Sequence, residues 1–328
     1  MIQHDTLSSD RPGLILNQKY ELVEPIGQGG MAIVWRGISH GSEGFARPVA
    51  IKRIDPSVLG HPEVIQMFVE EARVGAALHH PNIVQVFDFG VDHEGKHFLV
   101  TELVEGIHLG NWVTSHFRNA RKETPWELLT AIAIEVLRAL DAAHSRIDAA
   151  GKTSPVLHRD VTPPNILLDV NGFVKLADFG LARAMDRGRM TRPNIIKGKL
   201  SYLAPELVLG SNPSPASDLF SLGIVMWEAL TGERLFDADN DTDVVLLVRD
   251  ARVPMLSVKR PSLPFAVSSA VHKALEREPA RRFHSAREMI DTLKDALRVL
   301  PGSTDSPALG ASIREARTRL AKAPRPAP

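Results

Sequence analysis

The chain predicts an α+β fold in which a small antiparallel, β-rich half precedes a larger and mainly helical half. Three observations carry that expectation. The first hundred residues alternate in the manner of strands around a glycine-tipped hairpin. One stretch of helical period interrupts them, with Val64, Phe68, Ala72, Gly75 and Leu78 recurring on a single face. After Gly106 the period becomes helical and stays so over most of the remaining chain.

Taken in order, residues 1–18 read as a polar leader: Met1 to Asn17 carries His4, Asp5 and Asp10 and no long apolar run, which argues against a signal peptide or anchor. From Tyr20 the chain alternates through Ile26, turns at Gly27-Gln28-Gly29-Gly30, and resumes as a strand from Met31 to Gly37. Gly41, Ser42 and Gly44 mark a loop before a strand from Pro48 to Ile54. The inserted helix ends at His79-His80-Pro81-Asn82, and strand-like runs succeed it from Ile83 to Phe89 and from His97 to Leu103. Thr124-Pro125-Trp126-Glu127 has the pattern of a capping box, opening a helix through Leu128, Ile132, Val136, Leu140 and His144. Ser217 to Leu230 is apolar enough for a buried helix, and further helices are expected at Val244–Val248, Ser268–Leu275 and Ala286–Leu300. Residues 301–328 shift to Gly, Ser, Pro, Ala and Arg. They read as a frayed tail, with a short basic helix lined by Leu309, Ile313, Ala316 and Leu320 as the alternative.

Bulk properties exclude several classes. With 328 residues, 44% hydrophobic and 24% charged, the composition is that of a globular protein. Net charge is zero, so no overall positive field favours nucleic acid or membrane surfaces. Cysteine is absent, which removes disulfides, thiolate metal sites and cysteine nucleophiles and fits a cytoplasmic setting. No window approaches the roughly 20 apolar residues of a membrane span.

The chemistry lies in a few scattered polar residues. Lys52 stands on an apolar strand, where an unpaired ammonium is costly to bury, so it calls for a carboxylate and for phosphate partners. Of the adjacent Glu70 and Glu71, only one can face inward. Glu71 shares the face of Phe68 and Val64, which leaves Glu70 to solvent. Gly27-x-Gly29-x-x-Ala32 allows backbone N–H groups to approach phosphates, although a ligand-free hairpin would look much the same. Because these glycines join two strands, they do not fit the dinucleotide fingerprint, which opens a helix. In His158-Arg159-Asp160-Val161-Thr162-Pro163-Pro164-Asn165, Asp160 offers a proton acceptor and Asn165 an amide oxygen for a hard cation. A second carboxylate comes in Asp178-Phe179-Gly180.

Together with Val49-Ala50-Ile51-Lys52 and the glycine turn, these motifs resemble the protein kinase family over residues 20–298, and Gly29-Gly30-Met31-Ala32 is similar to its bacterial members. The resemblance implies a bilobal protein kinase-like fold with an N-lobe at 19–104 and a C-lobe at 105–300. It implies ATP as co-substrate and Mg²⁺, for which Mn²⁺ could substitute, held by Asn165 and Asp178. Asp160 is then the catalytic base, and Lys52 with Glu71 the phosphate anchor. Ile26, Gly27, Gln28, Gly29, Gly30, Met31, Ala32, Val34, Ala50, Thr101, Glu102, Val104 and Leu167 would surround the nucleotide, with Thr101 as gatekeeper and the backbone of Glu102 and Val104 bonding adenine. In the family His158 serves in packing and Asp218 steadies the catalytic loop. Asp178 to Glu206 matches the activation segment, whose Glu206 would pair with Arg282. Between those landmarks Arg183, Arg187, Arg189, Arg192, Lys197 and Lys199 face a single acid, Asp186. A phosphate on Thr191, gripped by Arg159, would relieve their repulsion; a solvated basic loop that is never modified is the alternative.

One departure stands out. Where serine/threonine kinases usually have lysine two residues after the catalytic aspartate and threonine late in the activation segment, this chain has Thr162 and Lys199. The expectation is that Lys199 supplies the missing ammonium beside Asp160. The resemblance thus implies a cytoplasmic kinase acting on Ser/Thr hydroxyls of proteins, including its own activation loop, compatible with a homodimer that phosphorylates in trans. A pseudokinase scaffold and a small-molecule phosphotransferase are the rivals, the latter disfavoured by Ala204-Pro205-Glu206.

Overall fold

The first strand begins earlier than composition suggests. In the computed structural model, which describes residues 10–29, 31–55, 62–148, 150–179, 200–298 and 304–323, β1 (Ile15–Leu16) already pairs with β2 (Tyr20–Gln28). The leader boundary at residue 18 therefore falls inside the sheet. Polar composition concealed this because the segment is held by one buried leucine, Leu16, and by charge: Arg53, 1% exposed, takes both carboxylate oxygens of Asp10 at 2.6 and 3.0 Å and Asp92 at 2.8 Å.

The described chain divides into a sheet unit, drawn from residues up to 79 and 84–104, and a helical unit, drawn from 80–83, 105–179 and 196 onward. In the first, β3 (Ala32–His40), β4 (Ala46–Ile54), α1 (Pro62–Ala76), β5 (Val86–Val91) and β6 (His97–Thr101) come next, and the antiparallel sheet runs β1-β2-β3-β4-β6-β5. Side chains alternate across a strand, so each face has its own core. Leu16, Tyr20, Leu22, Trp35, Val49, Ile51, Phe98 and Val100 fill one face. On the other, Ala32, Ile54 and Leu99 meet Phe68 and Ala72 of α1. The register pairs Val34 with Lys52, Lys52 with Leu99, and Ala50 with Thr101, which puts all five on the face that α1 covers in part.

The helical unit opens with β7 (Gly106–His108) and α2 (Leu109–Thr114), which runs into a π-helical turn over 115–120. α3 (Trp126–His144) is next, then β8 (Ile166–Asp169) and β9 (Val174–Leu176), which join β7 in a three-stranded sheet. Thr124 does not cap α3, contrary to the capping-box pattern. Its hydroxyl is drawn into the core, where it donates to the Ala229 carbonyl at 2.6 Å, and Pro125 occupies the cap position. α4 (Pro205–Val208) precedes α5 (Pro215–Thr231), the buried helix the apolar run predicted. α5 opens on a reciprocal Ser214–Ser217 cap. It ends at Gly232, φ 73°, where any Cβ would lie 2.6 Å from the Phe117 ring. α6 (Asp241–Asp250), α7 (Leu256–Lys259), α8 (Phe265–Ala274), α9 (Ala286–Leu297) and α10 (Ser306–Lys322) complete the unit. Residues 306–322 thus take the helical alternative rather than fray, burying Leu309, Ile313 and Ala316.

Candidate active site

In the sheet unit the lysine finds its carboxylate. Lys52 Nζ lies 2.6 Å from Glu71 Oε1, with side chains 15% and 4% exposed. Glu70, one residue earlier, turns outward to Arg73 at 2.7 Å. The face shared by Phe68 and Glu71 decides between them, as helical geometry requires. Along the same sheet face Val34, Ala50 and Thr101 flank Lys52, while Ile26, at the bulge between the Pro25 and Gly27 pairings, is 48% exposed. Ile26 lies beyond the short β1–β2 pairing, which leaves its apolar side chain open. The Glu102 N–H already donates to the Gln85 carbonyl, so from that residue it is the carbonyl that can serve a base.

The glycine turn has an informative geometry. Neither Gly27 nor Gly29 has a positive φ, and a Cβ would stand 3.9 Å from Val34 Cβ at the first and 3.7 Å from the Ala32 carbonyl at the second. Neither backbone conformation nor internal packing demands glycine there. What the absent Cβ atoms leave is room for close approach from outside.

In the helical unit, backbone anchoring shapes the segment from His158 to Asn165. Asp218 is 1% exposed, and its carboxylate accepts from the His158 N–H at 2.9 Å, the Arg159 N–H at 2.8 Å and His144 Nε2 at 2.8 Å. Burial alone would push this carboxyl up; the His144 bond and charge and the Arg159 N–H outweigh it, and its pKa lies below the usual value. With its N–H fixed, Arg159 takes φ 65°, a left-handed conformation that a non-glycine residue holds only under such constraint. His158 is fully buried, and desolvation lowers its pKa. As a neutral ring it donates through Nε2 to the Ala177 carbonyl at 2.9 Å, accepts the Asp160 N–H at Nδ1, and packs edge-on to Phe179. It therefore ties the Asp160 loop to the strand leading to Asp178, the packing role the resemblance implied.

Asn165 closes the loop by donating Nδ2 to the Asp160 carbonyl at 2.8 Å and to Asp160 Oδ2 at 3.0 Å. An amide whose nitrogen is committed this way presents its oxygen on the opposite side. The backbone N–H of Ala177 donates to the Asn165 carbonyl at 2.9 Å, which brings Asn165 within one residue of Asp178, itself at φ 62°. One amide oxygen and one carboxylate are a partial set of donors for a cation. That fits Mg²⁺, which usually takes one or two carboxylates and leaves remaining positions to water and phosphate. Among the described residues no cluster of three or more His, Asp or Glu offers a complete protein site.

Thr162 is 8% exposed, and its carbonyl accepts the Asn165 N–H at 3.0 Å. Leu167 lies on β8 paired with His108. Arg282 meets Glu206 bidentately at 2.7 and 2.8 Å, also donates to the Glu276, Ala216 and Arg277 carbonyls, and lies over the Phe220 ring. Gly30, Gly180, Thr191, Lys199 and the rest of 180–199 lie outside the described residues. Sequence reasoning missed His144 as a partner of Asp218. Its place at the end of α3 was legible, but the 74-residue separation gave no signal of the contact.

The protein kinase domain model matches residues 20–301. The tyrosine-protein kinase MasK of Myxococcus xanthus is 34% identical over 295 residues, covering 90% of this chain and 45% of that protein. The serine/threonine-protein kinase PknA of Mycobacterium tuberculosis is 36% identical over 293 residues, 87% of this chain and 63% of that one. The serine/threonine-protein kinase PrkC of Bacillus subtilis is 32% identical, and 41% of it is covered. The chain thus spans less than two thirds of each of these relatives. A crystal structure of the M. tuberculosis PknI kinase domain superposes with a TM-score of 0.68 at 28% identity, covering 89% of this chain and 100% of that one. A family model spanning most of the chain and a solved kinase domain of the same architecture agree with the geometry built up above: the chain belongs to the protein kinase family.

Proposed function

We propose that this chain transfers the γ-phosphoryl group of Mg·ATP to serine or threonine hydroxyls of proteins. The observation that carries this reading is the 2.6 Å Lys52–Glu71 pair on the sheet face that also presents Val34, Ala50 and Thr101, which is what a phosphate anchor beside a base pocket requires and what a pseudokinase scaffold has no need to keep. Asp160 accepts the proton of the substrate hydroxyl as its oxygen bonds to the γ-phosphorus and the bond to the β–γ bridging oxygen breaks, releasing ADP. Lys52 donates to phosphate oxygens, while Asn165 and Asp178 are the ligands that would hold Mg²⁺. When bound, that ion neutralises charge on the terminal phosphates. The exposed face of Ile26 with Val34 and Ala50 is the sheet unit's contribution to adenine binding, Leu167 is the contribution that the family resemblance assigns to the helical unit, and Gly27 to Ala32 would close over the phosphates through backbone N–H groups.

Pro163 and the names of PknA and PrkC favour serine and threonine; the name of MasK, with Thr162 in place of the usual lysine, favours tyrosine as a second reading. Incubation of the purified chain with radiolabelled Mg·ATP and a mixed protein substrate, followed by phosphoamino-acid analysis, separates the outcomes. Phosphoserine or phosphothreonine supports the first reading and phosphotyrosine the second. Label no greater than in an Asp160→Asn control leaves a pseudokinase. Site mapping of the same sample tests Thr191 as an autophosphorylation site. For the exchanged pair, Thr162→Lys and Lys199→Thr should each cut turnover, and the double variant should recover part of it; full activity of Lys199→Thr alone defeats that role. Cytoplasmic location and transient self-association belong to the same reading. Among the described residues, no helix is long and apolar enough to cross a membrane.

A further inference from the structure

The family match ends at residue 301, yet α10 begins at Ser306 and is built into the helical unit. The Asp305 side chain caps it by accepting from the Ala308 N–H, and Pro307 stands in its first turn. Leu309, Ile313 and Ala316 are buried, and the helix packs on α2 and the π-helical turn. Its polar bonds are specific: Trp112, fully buried, donates its indole N–H to Ser312 Oγ at 3.0 Å, and Arg319 Nε donates to Ser115 Oγ at 3.2 Å. Arg314 Nη1 donates to the Val170 carbonyl at 2.5 Å.

That last bond falls on the turn joining β8 to β9. There two backbones press together so closely that glycine is needed on both sides. A Cβ at Gly310 would stand 2.9 Å from the Val170 oxygen, and one at Gly172, φ 87°, would stand 1.9 Å from the Ser306 oxygen. β8 starts directly after Asn165, and β9 ends two residues before Asp178. The ladder between them holds only Ile166–Leu176, Leu167–Lys175 and Leu168–Val174; β7 pairs along β8 alone, which leaves β9 as the edge strand of a small sheet. The end beside Asn165 is tied down where the Leu176 N–H donates to the Asn82 carbonyl and where Ala177 bonds His158 and Asn165, while Asn82 Nδ2 reaches along β9 to the Val174 carbonyl. The other end, about 13 Å away at ~3.3 Å per residue, is held where Val170 donates to Glu105 and accepts from Arg314.

We propose that α10 braces the β8–β9 hairpin, and that Arg314 is a positioning residue that keeps Asn165 and Asp178 in register for the cation. This rests on the kinase reading above. The bonds of α10 fall at the end of the hairpin remote from those ligands, the arrangement of a support rather than of a plug.

The test uses the full chain, two disruptive variants and Arg314→Lys as the conservative one. Arg314→Ala removes an exposed side chain and leaves the apolar interface intact, while Gly310→Val wedges the helix off the turn without changing charge. Mn²⁺ is titrated by electron paramagnetic resonance in the presence of a non-hydrolysable ATP analogue, and amide exchange is measured over 173–177 with no nucleotide. Both variants should bind Mn²⁺ about three- to tenfold more weakly, less than the roughly tenfold or more expected on loss of a metal ligand's own hydrogen-bond partner. Exchange at 173–177 should quicken, and Arg314→Lys should recover part of both effects. Wild-type Mn²⁺ affinity in both variants, or weakened affinity with unchanged exchange, overturns the proposal. The kinase reading fails separately, if the unaltered chain neither binds adenine nucleotides nor transfers phosphate, and the nucleotide-free exchange experiment still judges the brace.

Discussion

The two units hold their functional side chains by different physics. In the sheet unit Lys52 is held by an opposite charge, Glu71, on a face with an apolar core. In the helical unit Asp160 is fixed through its neighbours: Asp218 grips the backbone of His158 and Arg159, His158 bonds Ala177, and Asn165 bonds Asp160 itself. A side-chain pair sets where one charge sits and leaves the backbone to the strand and helix that carry it. A buried carboxylate bonded to N–H groups instead dictates the path of a loop that has no regular structure of its own. The first arrangement should fail when charge balance is lost, the second when loop geometry is lost.

The largest expected effect lies in the loop. Asp160→Asn preserves shape and leaves an oxygen to accept from Asn165, but removes the proposed base. Turnover should fall about 10³-fold, within the range of positioned acid–base groups, while the melting midpoint stays near wild type. Retention of a tenth or more of the wild-type rate would remove Asp160 from that role.

Next comes the charge pair. Lys52→Met leaves Glu71, 4% exposed, without the ammonium beside it, so both activity and stability should suffer. Losses of about 10²-fold in turnover and about 3 kcal/mol in unfolding free energy are expected. Adding Glu71→Leu should return most of the stability and none of the activity. If the double variant is no more stable than Lys52→Met, the pair is not the electrostatic unit described.

Two buried acids of opposite sign sharpen the comparison by pH. Asp218 has a depressed folded pKa, so its contribution is present above the unfolded value, about 3.9, and is lost as pH falls through the folded one. Glu228 is pushed up by burial, which outweighs Arg234 and the bonds from Tyr202 and the Leu235 N–H. Its contribution is fully present below its unfolded value and is lost as pH rises through the raised one. In chemical denaturation across pH 3–8, a window spanning both unfolded values, Asp218→Asn should therefore cost most near neutrality and progressively less in acid. Glu228→Gln should cost least near neutrality. Parallel profiles for the two variants would contradict the assignment.

How much of this was legible depends on how local each feature is. Strand alternation, the α1 face that selects Glu71 over Glu70, and the apolar run of α5 are written in neighbouring residues, and all appear in the structure. The family's spacing singled out Asp160, Asn165, Asp178, Glu206 and Arg282, and the last two meet across 76 positions because the motif, not the periodicity, linked them. What could not be read were contacts with neither spacing nor motif. His144 on Asp218, Asp10 on Arg53 and Ser312 on Trp112 each join distant segments through one or two polar bonds. Thr124 misled for the same reason: its local pattern spelled a cap, and a carbonyl 105 residues away claimed its hydroxyl.

The smallest effect on the fold should come from the glycine turn, which makes it the cleanest probe of what lies outside the protein. Gly27 has no positive φ, and an added Cβ would meet only Val34 Cβ at 3.9 Å, an ordinary contact. Gly27→Ala should thus leave stability unchanged or raise it by about 0.5 kcal/mol, through the lower entropy of the unfolded chain. If the space left by the missing Cβ serves phosphate approach, the same substitution should raise KM for ATP severalfold while the melting midpoint holds. An unchanged KM would mean that the turn is glycine-rich for reasons unrelated to nucleotide, and the sheet unit's share of the site would shrink to Lys52, Glu71 and the apolar face beside them.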